Sequence, residues 1–505
     1  MTTTETEAAA PAPSTRLSRS LILFTLTMVT MLYAMTVTIA NVALPKMQGS
    51  LSATQDQIAW VVTFNIVATA VVTPLSGWLA ARLGRRPLMI WAVIGFAIAS
   101  LLCGTATSVE ELVFYRILQG ACGAPLVPLS QAILLDTYRR EHHGPATAIF
   151  GVGVILGPII APTLGGYLSE TYGWRWVFFM IVPFALVSLL GVWAFIVEHR
   201  VARTRLDWTG FLALAVAIAA LQLVLDRGER NDWFDSAEIV VEAGLALGAF
   251  YVFVVHSLTA ERPFFNPKML RNRNFAVGLV IALIFGMLNF TPITLLPTLL
   301  QNLRGYPDTV IGLVLSARGL GTLVGFAFMI FASRMDPRIP LGVGLILQAY
   351  AGWTMAQFDI NLTTWGVIWT MAIQGLGVGL MWVPLSMIAL STLPPDQRPD
   401  GTAFFHLLRN IGSSIFISLS ITIVIRTTKV SYAGMVEQIS PFNENLRLPW
   451  VTGGWSTEST PELMALGKEA LRQAAMIGYL NSFLAFAAVA LVAVPLVFLA
   501  KRQRS

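Results

Sequence analysis

The sequence predicts an all-α membrane protein with fourteen transmembrane helices. Three observations predict it: a charge-poor composition, a series of apolar runs each about 20 residues long, and an internal repeat in a single register. Only 12% of the 505 residues are charged, 55% are hydrophobic, and the mean hydropathy is +0.69. A soluble domain is about 25% charged, so half that charge leaves a 55.0 kDa surface poorly covered for water. This excludes a cytosolic enzyme, a disordered chain and a nucleic-acid-binding protein. The net charge of +6 does not reverse the last exclusion. The basic residues sit in short clusters between apolar runs, as in a membrane protein, and form no aromatic-interleaved patch.

Taken in order, residues 1–18 are rich in Thr, Ala and Pro and predict a disordered cytoplasmic tail. Apolar runs then lie near 21–44, 58–81, 87–106, 112–136, 145–168, 175–197, 208–226, 237–258, 274–301, 309–333, 339–357, 364–391, 402–426 and 475–500. The first is too long for the apolar region of a signal peptide and is read as span 1. Residues 427–474 are polar and contain Pro441, Gly453 and Gly454; they are read as an extracytoplasmic loop. With the N-terminus inside, 20 of the 33 Lys and Arg fall in inside segments and five in the short outside loops. That asymmetry predicts cytoplasmic termini and, in a bacterium, the inner membrane.

The repeat fixes the domain layout. Span 4 carries Leu118-Gln119-Gly120 and Pro128-Leu129-Ser130, with Thr147-Ala148 beyond the next loop. Span 12 carries Ile373-Gln374-Gly375 and Pro384-Leu385-Ser386, followed by Thr402-Ala403. The offsets are 255, 256 and 255 residues. Spans 1–6 (19–200) and 9–14 (263–505) are therefore two copies of one six-helix bundle, with spans 7 and 8 (201–262) inserted between them. Parallel six-helix repeats with a substrate site at their interface build one large class of secondary transporters.

Charge inside the spans marks the candidate site. Arg116, Arg318 and Arg409 are intramembrane arginines, each costing at least about 2.5–3.5 kcal/mol unless it faces water or a partner. His406 lies one turn before Arg409 on the same helix face and titrates near neutral pH in its ordinary state. Both either face the cavity or snorkel to the inner surface. No Asp or Glu occupies the centre of a span; Asp136, Asp226 and Glu242 lie at or near ends. Polar and aromatic residues on spans of both halves are the expected cavity lining: Asn41, Asn65, Gln119, Gln131, Asn289, Gln374 and Trp382. An interior without fixed negative charge favours neutral or anionic amphiphiles over dications. There is no phosphate-binding Gly-x-x-x-x-Gly-Lys-Ser/Thr loop for ATP, no catalytic constellation and no metal-ligand spacing. Cys103 and Cys122 lie in apolar runs.

Several motifs resemble one family. Gly77-Trp78-Leu79-Ala80-Ala81-Arg82-Leu83-Gly84-Arg85-Arg86, between spans 2 and 3, is similar to the loop signature of the major facilitator superfamily. Arg116-Ile117-Leu118-Gln119-Gly120 resembles its span-4 motif. Gly157-Pro158 and Gly165-Gly166-Tyr167 resemble the span-5 motif of its drug exporters. With fourteen spans and the long outer loop, the chain resembles the drug:proton antiporter branch of the EmrB/QacA type.

The resemblance implies a major facilitator fold and multidrug efflux by alternating access, with a proton gradient and no cofactor. It implies a latch in which Arg82, Arg85 and Arg86 pair with acids such as Asp136, although Ala81 stands where the family carries its loop acid. The alternative for these arginines is simple anchoring. It implies a proton role for Arg116, with Asp226, His406 and Arg409 as the other coupling candidates. Thr36 stands where related exporters carry a span-1 acid. It implies that Gly153, Gly157, Pro158, Gly165 and Gly166 form a hinge or seal between the halves; Ala161 replaces one glycine of that pattern, and generic packing is the alternative. In a Gram-negative host it implies a periplasmic adaptor protein as partner, beside membrane lipid and an amphiphilic substrate. Export of a siderophore or lipid-like metabolite, and facilitation without protons, are the rival expectations.

Overall fold

A computed structural model describes residues 16–198, 206–332, 335–394, 397–440, 442–447 and 459–501. Every regular element among them is helical. The N-terminal columns are α1 (Arg16–Ser50), α2 (Gln55–Val72) with α3 (Leu75–Leu83), α4 (Arg85–Thr105), α5 (Val109–Gly123) with α6 (Leu126–Thr137), α7 (His143–Thr171), and α8 (Trp176–Phe179) with α9 (Ile181–Phe195). Next come α10 (Trp208–Arg227) and α11 (Ala237–Thr259). The C-terminal columns are α12 (Arg273–Arg304), α13 (Asp308–Phe331), α14 (Arg338–Met355), α15 (Thr364–Leu390), α16 (Arg398–Glu437) and α17 (Thr460–Val497).

Among the described residues, eleven columns are long and apolar enough to cross a membrane, and the α2–α3 pair, bent by 58°, makes a twelfth. α7, with 29 residues, and α14, with 18, bring the columns to the expected fourteen. Without water, backbone groups must be satisfied within the helices, and the helix starts show how. Thr54 and Gln57 form a reciprocal capping box on α2 (3.2 and 3.0 Å). Ser108 and Thr363 cap α5 and α15.

Two cores result. Leu26, Leu32, Phe96, Phe150 and Phe178 are buried in the first, from α1, α4, α7 and α8. Phe275, Phe405, Phe416, Phe483 and Phe486 are buried in the second, from α12, α16 and α17. Large apolar side chains such as Trp91, Leu247, Tyr251 and Val492 face outward, as lipid-facing residues do. The inserted hairpin sits at the seam: α10 packs on α2 of one half and α16 of the other, and α11 packs on α10. Asp207 ties its base together. It accepts from the backbone N–H groups of Gly210 (3.1 Å) and Phe264 (2.9 Å) and pairs with His256 Nε2 (2.9 Å). Burial pushes this carboxyl up, but those bonds outweigh it and hold it below its ordinary value.

The expected loop over 427–474 is a correction. α16 runs on to Glu437 and α17 begins at Thr460, so both ends of the segment are helical. Polarity ends an apolar run but does not end a helix, and these ends contain good helix formers such as Met464, Ala465, Leu466 and Glu469.

Glycines set the closest helix crossings of the C-terminal half. A Cβ on Gly286 would lie 1.9 Å from Arg409 O, and one on Gly412 2.0 Å from Leu283 O, where α12 crosses α16. Gly321 meets Ala372 O at 2.0 Å and Gly375 meets Arg318 O at 1.9 Å, where α13 crosses α15. Gly412→Ala is expected to lower the melting temperature in detergent, at a cost of about 1–3 kcal/mol. Gly244→Ala, which meets open space inside α11, does not lower it, since Ala is the better helix former.

Candidate functional site

The two halves are joined at the end that carries the loop arginines. Asp136, at the end of α6, is ion-paired with Arg85 from the start of α4 and with Arg398 from the start of α16. Arg398 belongs to the other half, and its Nη1 also reaches Leu135 O (3.4 Å). Beside this pair, Gly77 lets α3 approach α16. A Cβ there would lie 2.9 Å from the Asp400 backbone nitrogen and closer still to its carboxylate. A carboxylate therefore does stand against the loop that has Ala81, but it comes from the opposite half. Gly84 turns the chain with φ +93°, and a Cβ there would meet Glu198 Oε1 at 2.1 Å.

Of the three loop arginines, only Arg85 reaches Asp136 among the described contacts. Arg86 Nη2 donates to Trp193 O (2.5 Å), and Arg82 lies over the Trp78 ring at 5.2 Å.

Deeper between the halves lies a three-residue polar bridge. Gln131 of α6 donates through Nε2 to Ser386 Oγ of α15 (3.1 Å). His406 Nε2 of α16 lies 2.6 Å from Gln131 Oε1. With the amide in this orientation its oxygen accepts, so the neutral form of the ring carries its proton on Nε2 and leaves Nδ1 as an acceptor. Trp382 of α15 packs against His406 (ring centroids 6.0 Å apart) and under the Arg409 guanidinium (5.5 Å). Arg409 thus turns inward, eleven residues along α16, and does not reach for the surface.

The other expected cavity residues require a correction. Arg116 is 1% exposed and lies inside the N-terminal bundle. It donates to Val61 O (3.1 Å) and Gln119 Oε1 (2.6 Å). Gln119 passes the chain on to Ser100 (2.7 Å), and Asn65 donates to Arg116 O (2.8 Å). The C-terminal bundle repeats the scheme. Arg318 donates to Gln374 Oε1 (2.6 Å) and to Asn289 O and Oδ1 (3.0 and 2.7 Å), and Gln374 donates to Gln348 Oε1 (3.0 Å). Gln119, Asn289 and Gln374 accept from buried guanidinium groups and Asn65 donates to the Arg116 main-chain oxygen, so these polar groups are used within their own bundles. Burial of a cation forces amide partners around it, which sequence polarity alone does not distinguish from a lining.

The glycine row of α7 is also a correction. Cβ atoms on Gly153, Gly157 and Gly165 would strike Thr27 O (2.7 Å), Met31 O (2.9 Å) and Ile39 Cγ1 (2.5 Å) of α1, inside one half. Gly151 of the same helix faces the other half, against Phe326 of α13 (2.5 Å). α7 runs unbroken past Pro158, with Pro158 and Gly166 half-buried.

Thr36 is buried and donates to Leu32 O (3.0 Å), its own helix. The side chain of Asn41 lies outside the described residues. Asp226, near the end of α10, accepts from Thr63 of α2 (2.5 Å).

Sequence reasoning missed Arg398, Asp400, Gln348, Ser386 and Tyr33. Tyr33 of α1 faces Thr69 and lies within electrostatic reach of both Arg116 and Arg409. The repeat offset pointed at Ser386; nothing in the sequence marks the others.

Two helical bundles with a seam of paired charges and a polar bridge match the architecture of secondary transporters that work by alternating access. Residues 26–417 match the model of the Major Facilitator Superfamily. The chain is 35% identical over 428 residues to the multidrug export protein EmrB of Escherichia coli (strain K12), covering 83% of each. It is 33% identical over 474 residues to the fatty acid resistance protein FarB of Neisseria gonorrhoeae, covering 92% of each. Its fold matches a double-tryptophan mutant of XylE with a TM-score of 0.65 at 12% identity, over 96% of this chain and 97% of that one. The chain belongs to the Major Facilitator Superfamily, in its drug-exporter branch, and is a transporter, not an enzyme.

Asp136→Asn leaves Arg85 and Arg398 facing each other without their shared anion, a change costing about 3 kcal/mol for a buried pair. In a Leu135→Cys background lacking Cys103 and Cys122, the variant is expected to raise labelling by an impermeant maleimide at this end. Unchanged labelling would show that Asp136 does not hold the seam.

Proposed function

We propose that the chain is a secondary-active exporter of amphiphilic compounds, driven by proton exchange. The observation that carries this reading is the seam itself. Asp136–Arg398, Gly77–Asp400 and Gln131–Ser386–His406 all join one half to the other toward one end. Rocking the halves apart there breaks a few polar contacts and separates a small apolar contact in which Ala70, Leu135 and Ala148 meet the C-terminal core, while most of each core moves as a unit, which is what alternating access requires. The names of the relatives fit such cargo: one exports multiple drugs and one confers resistance to fatty acids.

In this reading the arginine-rich end is cytoplasmic, both termini are inside, and the membrane is a bacterial inner membrane. The units are a tail at 1–18, bundles at 19–200 and 263–505, and the insert at 201–262. The part of 427–474 beyond the bilayer faces outward and, in a host with an outer membrane, meets an adaptor protein. Coupling runs through His406, whose bare Nδ1 can accept a proton, and through Asp226 at the seam hairpin. Neutral and anionic amphiphiles are preferred to dications, since no described span carries a carboxylate at its centre.

That same lack of carboxylates favours a second reading, facilitation without protons. Proteoliposomes with an imposed pH gradient separate the two. The exporter moves an amphiphile against its own gradient while internal pH changes, and His406→Gln cuts the proton flux by tenfold or more, about 1.4 kcal/mol or more. A facilitator's transport ignores the pH gradient.

A further inference from the structure

Gln131 joins two residues of the opposite half through a single amide. It follows Ser130, the residue that corresponds to Ser386 at the 256-residue offset, and the second copy of the repeat has Met387 in its place. The amide at this position therefore occurs in one half only. Its Nε2 donates to Ser386 Oγ (3.1 Å), and its Oε1 lies 2.6 Å from His406 Nε2. All three side chains are buried.

The orientation of the amide has a physical reason. Turned the other way, its N–H would face His406 Nε2 and force the ring proton onto Nδ1. That atom is buried with no partner among the described residues, and an orphaned donor is rarer in a protein interior than an unfilled acceptor. The ring is otherwise packed by aromatic carbon, with Trp382 at 6.0 Å and Phe405 edge-on at 5.4 Å between centroids. Charged groups around it are few. α15 carries none, and α12 carries Arg273 and Arg304 at its two ends. α6 carries Asp136, five residues beyond Gln131 and paired with Arg85 and Arg398. Arg409, on α16 itself, is the described charge that acts on the ring, and Tyr33 of α1 acts in turn on Arg409.

We infer that Gln131 is a positioning residue for proton exchange at His406: it holds the ring as the Nε2–H tautomer and leaves Nδ1 as the atom that takes and gives the proton. This rests on the exporter reading above, in which His406 carries coupling. A proton adds to the Nδ1 lone pair and gives an imidazolium. The Nε2–H of that cation bonds the Gln131 carbonyl more strongly than the neutral ring does. Loss of the same proton restores the starting tautomer. Gln131 belongs to the N-terminal half, while His406 and Ser386 belong to the C-terminal half. Rocking the halves apart takes the amide off the ring, and the tautomer preference goes with it. The exchanging atom is thus selected by a contact made in one state of the transporter and absent from the other.

The first readout is the tautomer itself. It is taken from nitrogen NMR of the full-length protein labelled at histidine, in detergent at alkaline pH, with His406→Gln identifying the signal. The Nε2–H form is expected in wild type. A mixture of tautomers is expected in Gln131→Met, which keeps the length of the side chain and loses the carbonyl. The second readout is the pH–rate profile of amphiphile transport in proteoliposomes. Without the carbonyl the charged ring is less well held, so Gln131→Met moves the midpoint to lower pH by about 1–2 units, the size of one hydrogen bond to a charged group. Gln131→Glu keeps an acceptor oxygen and adds negative charge. It retains the tautomer and moves the midpoint to higher pH, and it serves if Gln131→Met does not fold. A merely structural role would slow transport and leave the midpoint in place. An Nδ1–H ring in wild type, or unmoved midpoints in both variants, would overturn the inference. Wild-type transport that ignores pH, with the tautomer as expected, would instead defeat proton coupling and leave the hold of Gln131 on the ring standing.

Discussion

A guanidinium in a membrane interior must find acceptors, and this requirement organises the molecule. The cost of leaving it bare is at least a few kcal/mol, comparable with much of a domain's net stability. The chain meets the requirement twice with the same residue of its repeat. Gln119 and Gln374 are 255 residues apart and each accepts from a buried arginine. The arginine comes from a different place each time. In the first half it lies three residues earlier on the same column. In the second it crosses from α13. The amide position is shared between the halves while the cation has moved, so the electrostatic scheme is repeated without a repeated sequence. Close backbone crossings at Gly375 and Gly286 bring carbonyls of Arg318 and Arg409 against neighbouring helices, which fixes where both side chains begin.

The seam between the halves works on the opposite principle. Around its arginine cluster each bundle interior is apolar and interlocked, with glycines of α7 pressed on α1 and phenylalanines layered through α12, α16 and α17. Across the seam the described polar contacts are few and reversible: one carboxylate shared by two arginines, one amide between a serine and a histidine, and α10 hydrogen-bonded to Thr63 on one side and, through Gln222, to Ser414 on the other (2.8 Å). A rigid-body motion of one half against the other therefore has low-cost places to open and none within the bundles. His406 sits at this seam, one turn before Arg409.

Much of the fold was legible because a bilayer imposes a length on each apolar run and leaves arginines at one end. The break of span 2 at Thr73-Pro74 and the helical ends of 427–474 were not, since hydropathy reports solvent and not backbone continuity. The site was legible in kind and less so in assignment. Arg409, His406, Trp382 and Gln131, singled out separately in the sequence, lie together where α6, α15 and α16 meet. Asn65, Gln119, Asn289 and Gln374 look the same in sequence, yet they belong to closed clusters. The difference lies in which helix face turns inward within a bundle, and every face of a span is apolar enough to hide it. Arg398 and Asp400 escaped notice because they read as ordinary surface charges at the start of a helix.

The central claim is that an interior with arginines and no carboxylate at the centre of any described span prefers an anionic amphiphile to a cationic one. It is tested most directly by the binding affinity of wild-type protein for three ligands that share a dodecyl tail: the carboxylate, its methyl ester and the trimethylammonium. The account predicts tightest binding of the carboxylate, weaker binding of the ester and weakest binding of the cation. Equal affinities, or preference for the cation, would contradict it.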